Sequence, residues 1–158
     1  MKAREIFYLI LFVFGSQLVG GIGSIATMSS VTTWYIDLQK PFLNPPSWVF
    51  APVWTFLYTL MGIAVFIVWR RGTYKRAVRT ALKVFGLQLV LNALWSFLFF
   101  GLHSPGLALI EIVVLLSVIV WCSILFYRIY RPAGLLMLPY IAWVLFATYL
   151  NAMLWVLN

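Results

Sequence analysis

The sequence predicts an all-α integral membrane protein, a single domain over residues 1–158 folded as a bundle of five transmembrane helices. Three observations carry this expectation. First, 65% of the residues are hydrophobic and only 9% are charged, against about 45–50% and about 25% in soluble domains. With a mean hydropathy of +1.04, the chain has too few polar groups to cover a water-facing surface. Second, five apolar runs reach the roughly 20 residues a helix needs to cross about 30 Å of hydrocarbon. Third, the basic residues crowd into alternate connections, as the positive-inside rule requires of a polytopic bundle. The same figures exclude a soluble enzyme, a disordered chain and a nucleic-acid-binding module. The net charge of +8 is a matter of topology and of attraction to anionic headgroups.

The first span is placed at residues 6–25. Lys2 and Arg4 give it a basic start and Gly23, Ser24 and Ala26 a small-residue end, the outline of a signal peptide. Its apolar stretch exceeds the usual core of about 7–15 residues, so it reads as a retained span. Ser16, Gly20 and Ser24 recur at every fourth position, which lets another helix of the bundle approach closely. Residues 27–47 form the longest segment outside the bilayer and contain Trp34, Tyr35, Asp37, Lys40, Pro41, Pro45 and Pro46. The prolines stiffen this backbone. It serves either as a rigid connector with an interfacial aromatic anchor or as a lid over a cavity.

The second span covers residues 48–69, the third 84–102, the fourth 107–127 and the fifth 133–157. Long uninterrupted runs without alternation argue for helices over a barrel. Pro52 and Pro139 kink or begin helices in the second and fifth spans. Of the 11 basic residues, Lys40 alone falls on the opposite face from the other ten. That places the N-terminus in the cytoplasm, with the first loop and the C-terminus outside.

Ordinary active-site chemistry finds few carriers. Cys122 and His103 are the lone cysteine and histidine, and Glu5, Asp37 and Glu111 are the only acids. No metal site, cofactor, paired-carboxylate centre or Ser-His-Asp triad is expected from this set. Glu111, near the start of the fourth span, is the acid at membrane depth. Reaching interfacial water accounts for it better than a proton relay, which needs a chain of such groups.

Of eight tryptophans, Trp34, Trp48, Trp69 and Trp155 fall at span ends, where the interfacial belt explains them. Trp54, Trp95, Trp121 and Trp143 lie deeper, and an indole N–H in hydrocarbon needs an acceptor. Gln88, Asn92 and Trp95 share one helical face, as do Trp143, Ala147 and Asn151, and as do Trp54 and Tyr58. Core filling with polar contacts between helices is one reading. A shared pocket for a flat, largely apolar ligand with polar edges is the other.

Three stretches resemble the translocator protein family, also called tryptophan-rich sensory protein (TspO) or peripheral-type benzodiazepine receptor. The first runs Trp34-Tyr35-x-x-Leu38-x-Lys40-Pro41-x-x-x-Pro45-Pro46 and on through Trp48-Val49-Phe50-x-Pro52-Val53-Trp54-x-x-Leu57-Tyr58. The second is Gln88-Leu89-x-x-Asn92-x-x-Trp95 with Phe99-Phe100-Gly101, and the third is Pro139-Tyr140-x-x-Trp143-x-x-x-Ala147-x-x-x-Asn151. The resemblance covers nearly the whole chain. It implies a five-helix homodimer in a membrane, here a bacterial cell membrane. It also implies binding of porphyrins such as protoporphyrin IX and haem as ligands. Drugs of the benzodiazepine class, and sterols in some members, are further ligands it implies.

Carried over residue by residue, the ligand site comprises Tyr35 and Pro45 of the lid, Trp54, Asn92, Trp95, Trp143 and Ala147. Transport or sensing of tetrapyrroles follows as the leading function, and light- and oxygen-dependent breakdown of protoporphyrin through Trp54 and Trp143 as the alternative. Two positions depart from the family. Phe42 and Leu43 follow Pro41 where many members carry tryptophan. No basic residue follows Tyr149, as the animal sterol-recognition pattern requires.

Overall fold

The computed structural model describes residues 3–158, so Lys2 of the basic start lies outside the described residues. Among them, five helical stretches are long and apolar enough to cross a membrane, and the protein is an integral membrane helical bundle. Helix α1 spans Ala3–Val31 and a short α2 spans Trp34–Asp37. Helix α3 spans Ser47–Trp69, and α4 spans Arg76–Ser96 before widening into a π-helical turn at Phe97–Gly101. Helix α5 covers Pro105–Ile129, α6 Arg131–Leu135 and α7 Leu138–Leu157.

Several boundaries differ from the hydropathy reading for local reasons. Helix α1 continues to Val31, into the segment expected to be a loop, and the helix's own carbonyls accept the hydroxyls of its last turns. Thr27 Oγ1, for example, donates to the Gly23 carbonyl at 3.0 Å. Helix α4 begins at Arg76, one turn and more before the apolar run, since Arg76, Arg79 and Lys83 can extend toward the interface. The fifth span is two helices. Pro139 sits at the start of α7, where its missing N–H is no loss. Within a continuous helix the ring would clash one turn back. Pro105 opens α5 in the same way.

Helix α1 packs along α3 and α4, α5 lies between α4 and α7, and α6 closes against α3 and α5. Glycines permit the closest approaches. A Cβ on Gly62 of α3 would run into the backbone of Val13 on α1, and one on Gly20 of α1 into the ring of Tyr58 on α3. Half of the bundle is a solid apolar core. Met61, Val65 and Val68 of α3 meet Val78, Ala81 and Phe85 of α4 and Ile119, Cys122 and Phe126 of α5, all at most 6% exposed.

That solid half is the basic end. Arg70 pairs with Glu5 at 2.9 Å, which joins the foot of α3 to the start of α1. The Arg71 guanidinium lies 3.8 Å from the centre of the Tyr130 ring, which joins the α3–α4 and α5–α6 connections. Trp121, expected at depth, is 48% exposed on the outer face of α5. An indole there belongs to the lipid-facing surface, and its helical position shares no face with the other deep tryptophans.

A cavity beneath the lid

At the opposite end the helices part around a cavity of about 530 Å³. Its walls come from α1, α2, α3, α4 with its π-turn, and α7, while α5 stands behind. Trp54, Asn92, Trp95, Trp143 and Ala147 all border it, and Tyr35 closes it from above. Pro45 is outside this wall, contrary to its expected place. It ends the turn before α3, and its carbonyl accepts a hydrogen bond from Asn44 Nδ2 at 3.2 Å. No lining residue carries a formal charge. The site can therefore stack and hydrogen-bond a ligand, with the hydroxyls of Tyr35 and Tyr58 among its polar groups.

The amides are held by one another's neighbours. Trp95 Nε1 donates to Asn151 Oδ1 at 3.0 Å, and Asn151 Nδ2 donates to the Pro105 carbonyl at 2.7 Å. This bridges α4, α7 and the first residue of α5. Below, the Tyr58 hydroxyl donates to Asn92 Oδ1, and Asn92 Nδ2 donates to the Tyr140 hydroxyl at 2.8 Å. Tyr140 in turn donates to Gln88 Oε1 at 2.9 Å. Gln88 thus lies under the floor and does not line the cavity.

Trp54 stacks on Tyr58 at 5.5 Å, and Trp143 meets Phe50 edge-on at 6.0 Å. The π-turn brings Phe99 and Phe100 to the wall, with Phe99 stacked on Trp95 at 5.2 Å. Among the described residues, no hydrogen-bond acceptor meets the indole N–H of Trp54 or Trp143, unlike that of Trp95.

The lid is fastened at several points. Helix α2 places Trp34 flat against His103, with ring centres 4.5 Å apart and planes within 17°. His103 sits in the left-handed backbone region at φ 50°. Ser30 Oγ donates its single proton to the Phe100 carbonyl at 2.6 Å. The 3.0 Å contact between Ser30 Oγ and His103 Nε2 must then be donated by the imidazole. Tyr35 is buried and donates from its hydroxyl to Asn44 Oδ1 at 3.1 Å. Burial pushes its phenol above the ordinary value, and the Asn44 bond opposes part of that rise. The Lys40 ammonium donates to the Ile36 carbonyl at 3.1 Å and lies 5.0 Å from the Tyr35 ring. Finally, the Gln39 N–H donates to Asn158 Oδ1 at 2.8 Å, and Asn158 Nδ2 donates back to the Gln39 carbonyl at 3.1 Å.

Sequence reasoning missed the α1 wall. Gln17 donates from Nε2 to the Thr55 carbonyl at 2.8 Å and to Thr59 Oγ1 at 3.0 Å. The signal was present: an amide mid-span in α1 meets the same criterion that singled out Gln88 and Asn92. Asn151, absent from the expected ligand site, anchors Trp95. Tyr140 is the hub of the floor network.

The TspO/MBR family profile matches residues 10–156. A tryptophan-rich protein TspO from Archaeoglobus fulgidus is 41% identical over 98% of this chain and 99% of its own length. One from Chlorobaculum tepidum is 41% identical over 98% of each. The human translocator protein is 34% identical over 89% of this chain and 79% of its own. The chain therefore belongs to the TspO/MBR family of membrane proteins.

Proposed function

We propose that this protein is a membrane receptor and transport protein for porphyrins, protoporphyrin IX and haem among them, and for related flat hydrophobic ligands. The observation that carries this reading is the convergence of Trp54, Trp95 and Trp143 on one lidded cavity of about 530 Å³. That volume falls within the roughly 300–1,000 Å³ typical of small-molecule sites. Indole faces suit a planar apolar macrocycle, and the carboxamides of Asn92 and Asn151 suit its polar rim. The name translocator protein, borne by the animal relatives, favours movement of the ligand over storage. The porphyrin is a ligand here, and no resident cofactor is invoked. The protein works as a homodimer in a bacterial cell membrane, with the basic end in the cytoplasm and the lid outside.

Saturable quenching of tryptophan fluorescence by protoporphyrin IX tests the site. The double variant Trp54→Ala with Trp143→Ala should weaken binding by about tenfold or more, on the order of 1.4 kcal/mol. Unchanged affinity with helicity intact would reject the cavity as the porphyrin site.

A second reading is light- and oxygen-dependent degradation of bound protoporphyrin. The free N–H groups of Trp54 and Trp143 and the stacking of Trp54 on Tyr58 favour it. The porphyrin is its own photosensitiser and is the species oxidised, oxygen is the oxidant, and the indoles relay the electron between them and end unchanged. Illumination of bound porphyrin with wild type and with Trp54→Phe and Trp143→Phe decides it. Equal bleaching everywhere removes the enzymatic step and leaves binding untouched.

A further inference from the structure

The cavity has walls of two kinds. Deep in the bundle its lining residues are closed off: Tyr58, Asn92, Phe99, Leu150, Asn151 and Leu154 are all buried. The lining residues that are exposed are Gly21 and Ser24 on α1 and Ser47, Ala51 and Thr55 on α3. They form two facing rows, spaced by three residues on α1 and by four on α3, so each keeps to one side of its helix. All are small. At the foot of these rows Gln17 ties α1 to α3 through the Thr55 carbonyl and Thr59 Oγ1. Below the tie, Gly62 lets the two helices touch. The helices are therefore pinned at mid-membrane, and on the lid side of the pin the gap between them is lined by these small exposed residues. The lid, by contrast, is fastened to α1 through Ser30 and His103 and to the end of α7 through Asn158.

The geometry points to a lateral portal between α1 and α3, through which the ligand passes directly between the cavity and the lid-side leaflet of the bilayer. This deepens the porphyrin reading and rests on it for the probe. The ligand class becomes membrane-dissolved amphiphiles rather than solutes taken from water through the lid. Gln17 acts as the pin that sets the depth of the opening.

The test separates the two routes in nanodiscs preloaded with protoporphyrin IX. In one arm a short bis-maleimide links Gln39→Cys to Asn158→Cys and locks the lid; the native Cys122 is buried. In the other, Ser24→Leu with Ala51→Leu fills the mouth. We expect the locked lid to leave the association rate within about twofold of wild type. The filled mouth should slow both association and dissociation by about tenfold.

The reverse pattern, with the locked lid slow and the filled mouth unaffected, overturns the portal. A second readout does not need porphyrin. Ala147→Cys, on the cavity wall, should react with bilayer-dissolved pyrene maleimide, and mouth filling should slow that reaction. If porphyrin fails to bind but this labelling still depends on the mouth, the ligand assignment falls and the portal stands. Labelling indifferent to the filled mouth sinks the portal itself.

Discussion

Replacing Asn92 by leucine probes the floor of the cavity at nearly constant volume. Asn92, Tyr58, Tyr140 and Gln88 are each at most 5% exposed. Their side chains form one chain of hydrogen bonds across α3, α4 and α7. Leucine would leave the Tyr58 hydroxyl without its acceptor. Tyr140 would keep its bond to Gln88 and lose one donor.

A buried orphaned group costs about 1–3 kcal/mol in soluble proteins. Interhelical bonds in membranes average about 0.6 and reach about 1.7 kcal/mol, because helices separated in the bilayer still find partners. The lower range wins here, so Asn92→Leu should cost about 1–2 kcal/mol. The assay is unfolding in mixed detergent micelles titrated with dodecyl sulfate, followed by circular dichroism. Wild type, Asn92→Leu, Tyr58→Phe and the double variant complete a cycle. Coupling of about 1 kcal/mol is expected between residues in direct contact. Additive costs, or an Asn92→Leu protein as stable as wild type, would show that the network holds nothing together.

Three further outcomes follow from the same geometry. Gly62→Val should separate α1 from α3 at the Val13 contact and destabilise by about 1–3 kcal/mol, as overpacking does; thermal melting in detergent measures it. Glu111 is 8% exposed, with no hydrogen-bond partner for either carboxylate oxygen among the described residues. Glu111→Met should therefore hold or raise the melting temperature, and a fall would mean that the carboxyl group binds something.

Fastening of the lid through Tyr35 should depend on pH. The free phenol ionises near 10, while burial holds the docked one higher. Docking is thus at full strength below about pH 10 and weakens as pH rises past it. Hydrogen-exchange protection across residues 34–46 should fall there in wild type, and Tyr35→Phe should abolish that pH dependence.

What could be read from the sequence was whatever hydropathy and helical periodicity encode. The five spans and the basic end follow from composition and charge. The faces carrying Asn92 with Trp95, and Trp143 with Ala147, follow from spacings of three and four residues. The π-turn at Phe97–Gly101 could not be anticipated, because no apolar spacing in the third span marks where an α-helical turn widens. Pro45 came from the family resemblance alone, with no helical periodicity in its turn to show which side faces the cavity. Trp121 shows the limit of arguing from depth alone: an indole at membrane depth can face lipid as well as protein. Gln17 was legible and was passed over, its polarity diluted by the small residues around it.

The contrast between the two ends of the bundle explains why a void persists in an otherwise close-packed protein. At the basic end, branched and flexible side chains such as Val65, Ile119 and Met137 fill the space between helices. At the lid end the wall sets large rigid rings, such as Trp54, Trp95, Phe99 and Trp143, against small residues such as Gly20, Gly21, Ser24 and Ala51. Collapse there would have to break the bonds from Trp95 to Asn151 and from Gln17 to α3, leaving polar groups unsatisfied in hydrocarbon. Trp95 is braced by Phe99 and Trp54 by Tyr58, so the indoles cannot swing inward without losing stacked contact. The hollow is thus held open by directional bonds across its rim and floor. A planar guest can then settle between indoles already in position, and little of its binding free energy is spent on ordering the wall.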